Sequence, residues 1–178
     1  MGDQLLVVDK NDQAIGTCPK LEAHQKGLLH RAYSVFVFRK QPKLQLLLQQ
    51  RHCDKYHCGS LWTNTCCSHP SQDSKLIESA QARLEYEMGF SVRLSRAGSF
   101  TYRAEFDNGL IEHEYDHVLV GWYQDQHIHP HPEEVQDYQW LCEDTIDQDL
   151  ASKPQSYTPW FKQAYAIALN YINNETRS

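Results

Sequence analysis

The chain has 178 residues, 40% hydrophobic and 22% charged, which suits one compact domain with a real core spanning 1–178. Its net charge of −6 with histidines neutral, and the lack of any long Lys/Arg run, argue against a nucleic-acid surface, so an anionic ligand needs local cations. Apolar runs such as Leu5 to Val8 and Val118 to Val120 are far too short to cross a bilayer, and six cysteines without a secretory leader point to the reducing cytoplasm.

In chain order, Leu5 to Asp9 reads as a strand ending in an Asn11-Asp12 turn, and Tyr33 to Phe38 as a largely buried strand. Leu44 to Gln50 pairs with the latter across Gln41-Pro42-Lys43. Residues 51 to 61 are too mixed for regular structure, and Trp62 to Cys67 resumes an extended, Thr-rich pattern. A helix follows, with Ser74 as N-cap, Ile77, Ala80, Leu84 and Met88 at helical spacing, and Gly89 as its stop. Further strands are expected over Ser99 to Ala104, Glu112 to Trp122 and Val135 to Leu141, with an Asn108-Gly109 turn between the first two. A last amphipathic helix runs from near Pro159 to Asn173. Strands, one helix, strands, one helix describe an α+β fold or a layered α/β/α-type sandwich.

Several residues on this frame carry chemistry. In the run Trp62-Thr63-Asn64-Thr65-Cys66-Cys67-Ser68-His69-Pro70, strand alternation sends Cys67 and His69 to one face and Cys66 and Ser68 to the other. Alone, that pair has the look of a cysteine nucleophile beside its activating imidazole. Alternation also puts Glu112 and Glu114 on one face, where two carboxylates are costly unless solvated or relieved by a cation or a shared proton. With His24, His30 and His69 they make a five-donor N/O set suited to Mn, Zn or Mg, leaving about one octahedral position open. Taken singly, His24 and His30 read as ordinary surface or capping residues. A competing structural-zinc set, His52, Cys53, His57, Cys58, Cys66, Cys67 and His69, lacks any Cys-x-x-Cys and contains neighbours that cannot all point inward. The run His127-Ile128-His129-Pro130-His131-Pro132 reads as an exposed connection.

Four ordered segments carry a family resemblance: Gly27-Leu28-Leu29-His30-Arg31-Ala32-Tyr33-Ser34; Trp62 to Pro70; Tyr102-Arg103-Ala104 followed by Glu112-His113-Glu114; and Thr158-Pro159-Trp160-Phe161. Together, from about Leu5 to Asn170, the chain resembles type I isopentenyl-diphosphate isomerases, which have a Nudix-like mixed sheet with flanking helices. Against the wider Nudix hydrolase pattern, Glu87, Gly89, Leu84 and Phe90 agree. Ser68, Ser74, Ala82, Arg83 and Tyr86 stand where that pattern has Gly, Glu, Arg, Glu and Glu, so most of the carboxylates that would activate water are missing.

The resemblance implies conversion of isopentenyl diphosphate to dimethylallyl diphosphate, an alkene protonation paired with removal of a different proton away from water. It implies that His24, His30, His69, Glu112 and Glu114 hold a first metal (Mn²⁺, Mg²⁺ or Zn²⁺), and that Glu114 with Tyr102 handles protons on one face and Cys67 on the other. It also places Trp160 against the developing positive charge, Lys20, Arg51, Lys55 and Arg83 on the diphosphate, and Glu87 on a bridging Mg²⁺. Taken singly, Trp160 would be core and each of the four cations a solvated charge. Two departures stand out: the spacing from His24 to His30 is one residue shorter than in bacterial members, and Cys58 replaces a large aromatic or a proline-containing turn. The implied partner is a small allylic or homoallylic diphosphate, with the chain a monomer or homodimer. Other readings are a Nudix pyrophosphohydrolase, distinguished by phosphate release, and a non-catalytic metal-binding module, distinguished by lack of turnover.

Overall fold

A computed structural model describes residues 4–177 apart from 71, 72 and 74. Its hub is β3 (His30–Lys40), whose first nine residues are all buried. A strand covered on both faces reads as a nearly continuous apolar run, as this one does. β3 pairs antiparallel with β1 (Gln4–Val8), β4 (Leu44–Arg51) and β6 (Cys66–Ser68), and parallel with β8 (Ile111–Trp122). β2 (Ala14–Pro19) lies on β1, β7 (Leu94–Glu105) on β8, and both β5 (Trp62–Thr63) and β9 (Val135–Cys142) on β4.

Alternation along β3 divides the core. Val35 and Val37 face α2 (Leu76–Met88), packing with Leu84 and Met88. Phe36 and Phe38 face α4 (Phe161–Glu175), packing with Phe161, Tyr165 and Ala168. α3 (Glu143–Ser152) joins that second side through Ile146, and α1 (Lys20–Lys26) covers Leu5 and Cys18 through Ala23. The result is the expected mixed sheet between helical layers.

Three elements escape the sequence pattern. β2 is exposed at five of its six positions and so shows no alternation, and α1 has only seven residues. α3 buries only Ile146 and starts directly from β9, leaving no punctuation between them. The expected Ser74 cap lies outside the described residues, and Lys75 at the start of α2 makes no side-chain capping bond. At the other end Gly89 does stop α2, with φ of 78°. The histidine-proline run then satisfies the helix's last carbonyls: His131 N–H donates to Glu87 (2.8 Å) and His129 N–H to Met88 (2.9 Å). Among the described residues no helix is long and apolar enough to cross a membrane.

A Cβ at Gly89 would meet the His129 carbonyl oxygen at 2.6 Å, whereas one at Gly109, also left-handed with φ of 81°, meets nothing within 4 Å. Gly109→Ala is therefore expected to lose about 1 kcal/mol from backbone strain alone, and Gly89→Ala about 3 kcal/mol. Urea denaturation of the two variants checks this; an equal loss contradicts the close approach at Gly89.

Candidate active site

Parallel pairing of β3 with β8 sets His30 directly beside Glu114, and β7 sets Tyr102 beside Glu114 and Ala104 beside Glu112. Period-two alternation turns Glu112, Glu114 and Asp116 to the buried face of β8, all at 6% exposure or less. β6 carries Cys67 opposite Ser34 and delivers His69 just past its end. α1, closed by Gly27 in a left-handed turn, brings in His24, which is fully buried, so the shortened spacing still reaches the cluster. Ring centroids of His30 lie 5.1 Å from His24 and 5.0 Å from His69.

The histidines are held as ligands must be. His24 Nδ1–H donates to the Lys20 carbonyl (2.7 Å) and His30 Nδ1–H to the Leu28 carbonyl (2.8 Å), leaving each Nε2 its lone pair. His69 Nε2 lies 2.9 Å from Glu114 Oε1, and His30 Nε2 is 3.6 Å from the same oxygen. Donor atoms of His24, His30 and His69 fall within 4.8 Å of one another, as do those of His69, Glu112 and Glu114. Buried His30 Nε2 and Glu112 Oε2 have no hydrogen-bond partner. Two buried acceptors left without a donor in such a cluster fit a divalent cation.

Electrostatics agree with that fit. Burial, and then the charge of Glu114, push Glu112 up to about 7. Burial also works to raise Glu114, but the close approach of His30 and Glu112 overcomes it and holds Glu114 below the usual carboxylate range. Burial, with the neighbouring charge of His30, keeps His69 neutral by lowering it well below its ordinary value.

Cys67 and His69 share a face but not a bond. Asn64 Nδ2 lies 3.0 Å from Cys67 Sγ, its Oδ1 lies 3.2 Å from the same sulfur, and Ser34 Oγ is at 3.7 Å. Burial, then the Asp116 carboxyl, pushes the thiol up to about 12, so it rests protonated. That is the opposite of an imidazole-activated nucleophile. Trp160, 3% exposed, donates its Nε1–H to Asn64 Oδ1 (3.1 Å), and its ring lies 6.1 Å from that of Tyr102. The Tyr102 hydroxyl is buried without a hydrogen-bond partner, and burial with the Glu114 charge keeps it protonated.

Lys20, Arg51, Lys55, Arg83 and Glu87 line the same cavity as Cys67, His69, Glu114 and Trp160. Arg83 Nη2 reaches Glu87 Oε1 (2.9 Å) and Glu134 Oε2 (3.1 Å), while Lys55 also pairs with Glu134. Gln49 Nε2 donates to the other Glu87 oxygen (3.1 Å). Arg51 sits over the Trp160 ring at 5.6 Å, and Lys20 over that of Tyr56 at 5.1 Å. Burial pushes Lys55 down to about 8. Four cations thus line one cavity of an acidic chain.

Every sequence-predicted site residue reaches this region. The competing zinc set disperses: Cys53 is exposed, and Cys66 is fully buried in the core on the α2 side. Sequence reasoning gave no role to Asn64, although it lies inside the quoted motif, or to Ser34, Asp116, Tyr56 and Glu134. It met His57 only within that zinc set, and the structure instead puts Nε2 of this residue 3.6 Å from Glu112. Asp116 had a signal, being the next position of the Glu112–Glu114 alternation, whereas Glu134 and His57 enter from irregular loops that have no period.

A proton on Glu112 competes with a cation, and its raised value of about 7 sets the window. Affinity for a divalent cation is expected to climb as pH rises from 5.5 to about 7 and to level off above it, with Glu112→Gln flattening the climb. Calorimetric titration across that range checks this, and an equally steep climb in the variant contradicts it.

Residues 28–161 match the NUDIX domain family. The chain is 43% identical over 176 residues to the isopentenyl-diphosphate Delta-isomerase of Photobacterium profundum, covering 97% of this chain and 98% of that protein. It is 44% identical over 161 residues to the Serratia proteamaculans protein of the same name, covering 90% and 88%. Among solved structures, the MutT protein of Methanosarcina mazei is similar in fold, with a TM-score of 0.63 at 13% identity over 83% of this chain and 95% of that one. The chain belongs to the isopentenyl-diphosphate Delta-isomerase family within the Nudix fold.

Proposed function

We propose that this chain converts isopentenyl diphosphate to dimethylallyl diphosphate, with Cys67 and Glu114 as the two proton-handling groups on either side of the alkene. One of them delivers a proton to the terminal alkene carbon, producing a tertiary cation at C3. The other removes a proton from C2, and their roles exchange in the reverse reaction. A single observation carries this reading: Cys67 and Glu114 line one cavity together with the cations Lys20, Arg51, Lys55 and Arg83, the thiol held protonated and the carboxylate below its usual range. Each turnover swaps their protonation, so a proton must return before the next. Tyr102, beside Glu114 on the neighbouring strand, relays protons to and from it.

The cation at C3 would be trapped as an alcohol by any water nearby. Trp160 shields it and offers a π face without a basic lone pair, held in orientation by its bond to Asn64. Lys20, Arg51, Lys55 and Arg83 bind the diphosphate, and Arg83 exchanges its contact with Glu87 for phosphate oxygens. Glu87, so released, would hold the Mg²⁺ that accompanies the diphosphate. His24, His30, His69, Glu112 and Glu114 would hold the other ion, Mn²⁺, Mg²⁺ or Zn²⁺, whose charge would let the two glutamates stay ionised side by side. The six cysteines are all free thiols, which suits a reducing cytoplasm.

Hydrolysis is disfavoured because α2 presents only Glu87 as a buried carboxylate, and hydrolases need several to activate water. Incubation with isopentenyl diphosphate and Mg²⁺ should give dimethylallyl diphosphate by NMR without free phosphate. Cys67→Ala and Glu114→Gln should each lower kcat by more than about 10³-fold. Full activity in either variant, or stoichiometric phosphate release, overturns the reading.

A further inference from the structure

His57 lies in the turn-rich stretch after β4, yet it is 8% exposed and forms part of the wall of the same cavity. Its ring is clamped. It stacks on Phe106 (centroids 4.8 Å apart, planes 9°) and meets Tyr56 edge-on at 4.4 Å, while its carbonyl accepts from Arg51 Nη2 at 3.3 Å. So fixed, Nε2 points at Glu112 Oε2 from 3.6 Å, too far for a hydrogen bond. Neither that oxygen nor His57 Nδ1 has any hydrogen-bond partner. Burying a polar atom against an unsatisfied carboxylate oxygen costs free energy that simple wall packing does not offset.

The donor spacing explains the arrangement. Ligand atoms of His24, His57 and Glu112 lie within 4.8 Å of one another. This triad shares His24 with the all-histidine triad and Glu112 with the His69, Glu112 and Glu114 triad. In an octahedron with bonds of about 2.1 Å, adjacent donors stand about 3.0 Å apart and opposite ones about 4.2 Å, and the 3.6 Å gap from His57 Nε2 to Glu112 Oε2 falls between the two.

We propose that His57 supplies a fourth imidazole to the ion held by His24, His30, His69, Glu112 and Glu114, filling the sixth position that five donors leave to water. The proposal rests on the metal reading given above and sharpens it. A sixth protein donor leaves the ion without an exchangeable water beside the cationic intermediate, where water is the group to be excluded.

The test uses substrate-free protein loaded with one equivalent of Mn²⁺, as wild type and as His57→Phe. Pulsed electron paramagnetic resonance with ¹⁵N-labelled histidine counts coordinated imidazoles, and water-proton relaxation counts inner-sphere waters. Wild type is expected to show four imidazoles and no exchangeable water. The variant should show three imidazoles and one water, with affinity weaker by about 10- to 100-fold. Because the wild-type count stands without the variant, three imidazoles or a bound water there overturns the assignment of His57 while leaving the metal centre intact. Identical counts in the two proteins overturn it as well. Failure of wild type to bind stoichiometric Mn²⁺ overturns both this assignment and the metal reading.

Discussion

Glu112 and Glu114 lie side by side on the buried face of one strand, and that juxtaposition is the constraint to which the rest of the structure responds. Two carboxylates in a low-dielectric interior repel each other and lose their hydration. Without a cation the pair relieves that strain unequally. Glu112 keeps its proton up to about 7, and Glu114 has His69 at 2.9 Å and is held below the usual carboxylate range. Three histidines arrive around the pair from α1, the start of β3 and the end of β6, and backbone carbonyls fix the rings of two of them, His24 and His30. Such a shell is costly as an apolar core and favourable as a cation site.

The fold brings these donors together through β3. Its parallel edge with β8 sets His30 against Glu114, and its antiparallel edge with β6 sets Ser34 against Cys67. A side slip of one residue in either ladder would turn the functional side chains into the opposite helical layer. The two core clusters, one under α2 and one under α4, fix that register by burying Val35 and Val37 on one side and Phe36 and Phe38 on the other. Chemistry and packing are thus alternate positions of the same strands. The cavity they line also gathers two arginines and two lysines, with Arg51 over the Trp160 ring.

Much of this was legible because strands announce themselves by alternation. The Glu112/Glu114 pairing follows from a period of two and the β7–β8 ladder agrees, whereas His69 lies past the end of β6 and reaches the cavity with Cys67 and the intervening Ser68. The α2 span followed from apolar residues at helical spacing closed by Gly89. What stayed hidden lacks a period. β2 is exposed, α1 is only seven residues long, and α3 follows β9 without a break. His57 and Glu134 reach the cavity from irregular segments, and the sequence neighbours of a loop residue do not reveal which strand it faces. Asn64 was read as part of a motif, but its role joining Cys67 to Trp160 depends on α4 returning to the β5–β6 corner. Long-range closure of that kind leaves no local trace.

The most direct test of this account is the crystal structure of the protein soaked with Mn²⁺, read by anomalous scattering. The account predicts one strong peak bonded to His24 Nε2, His30 Nε2, His69 and the carboxylates of Glu112 and Glu114. An ion elsewhere, or Glu112 and Glu114 paired through a shared proton with no peak between the histidines, would contradict it.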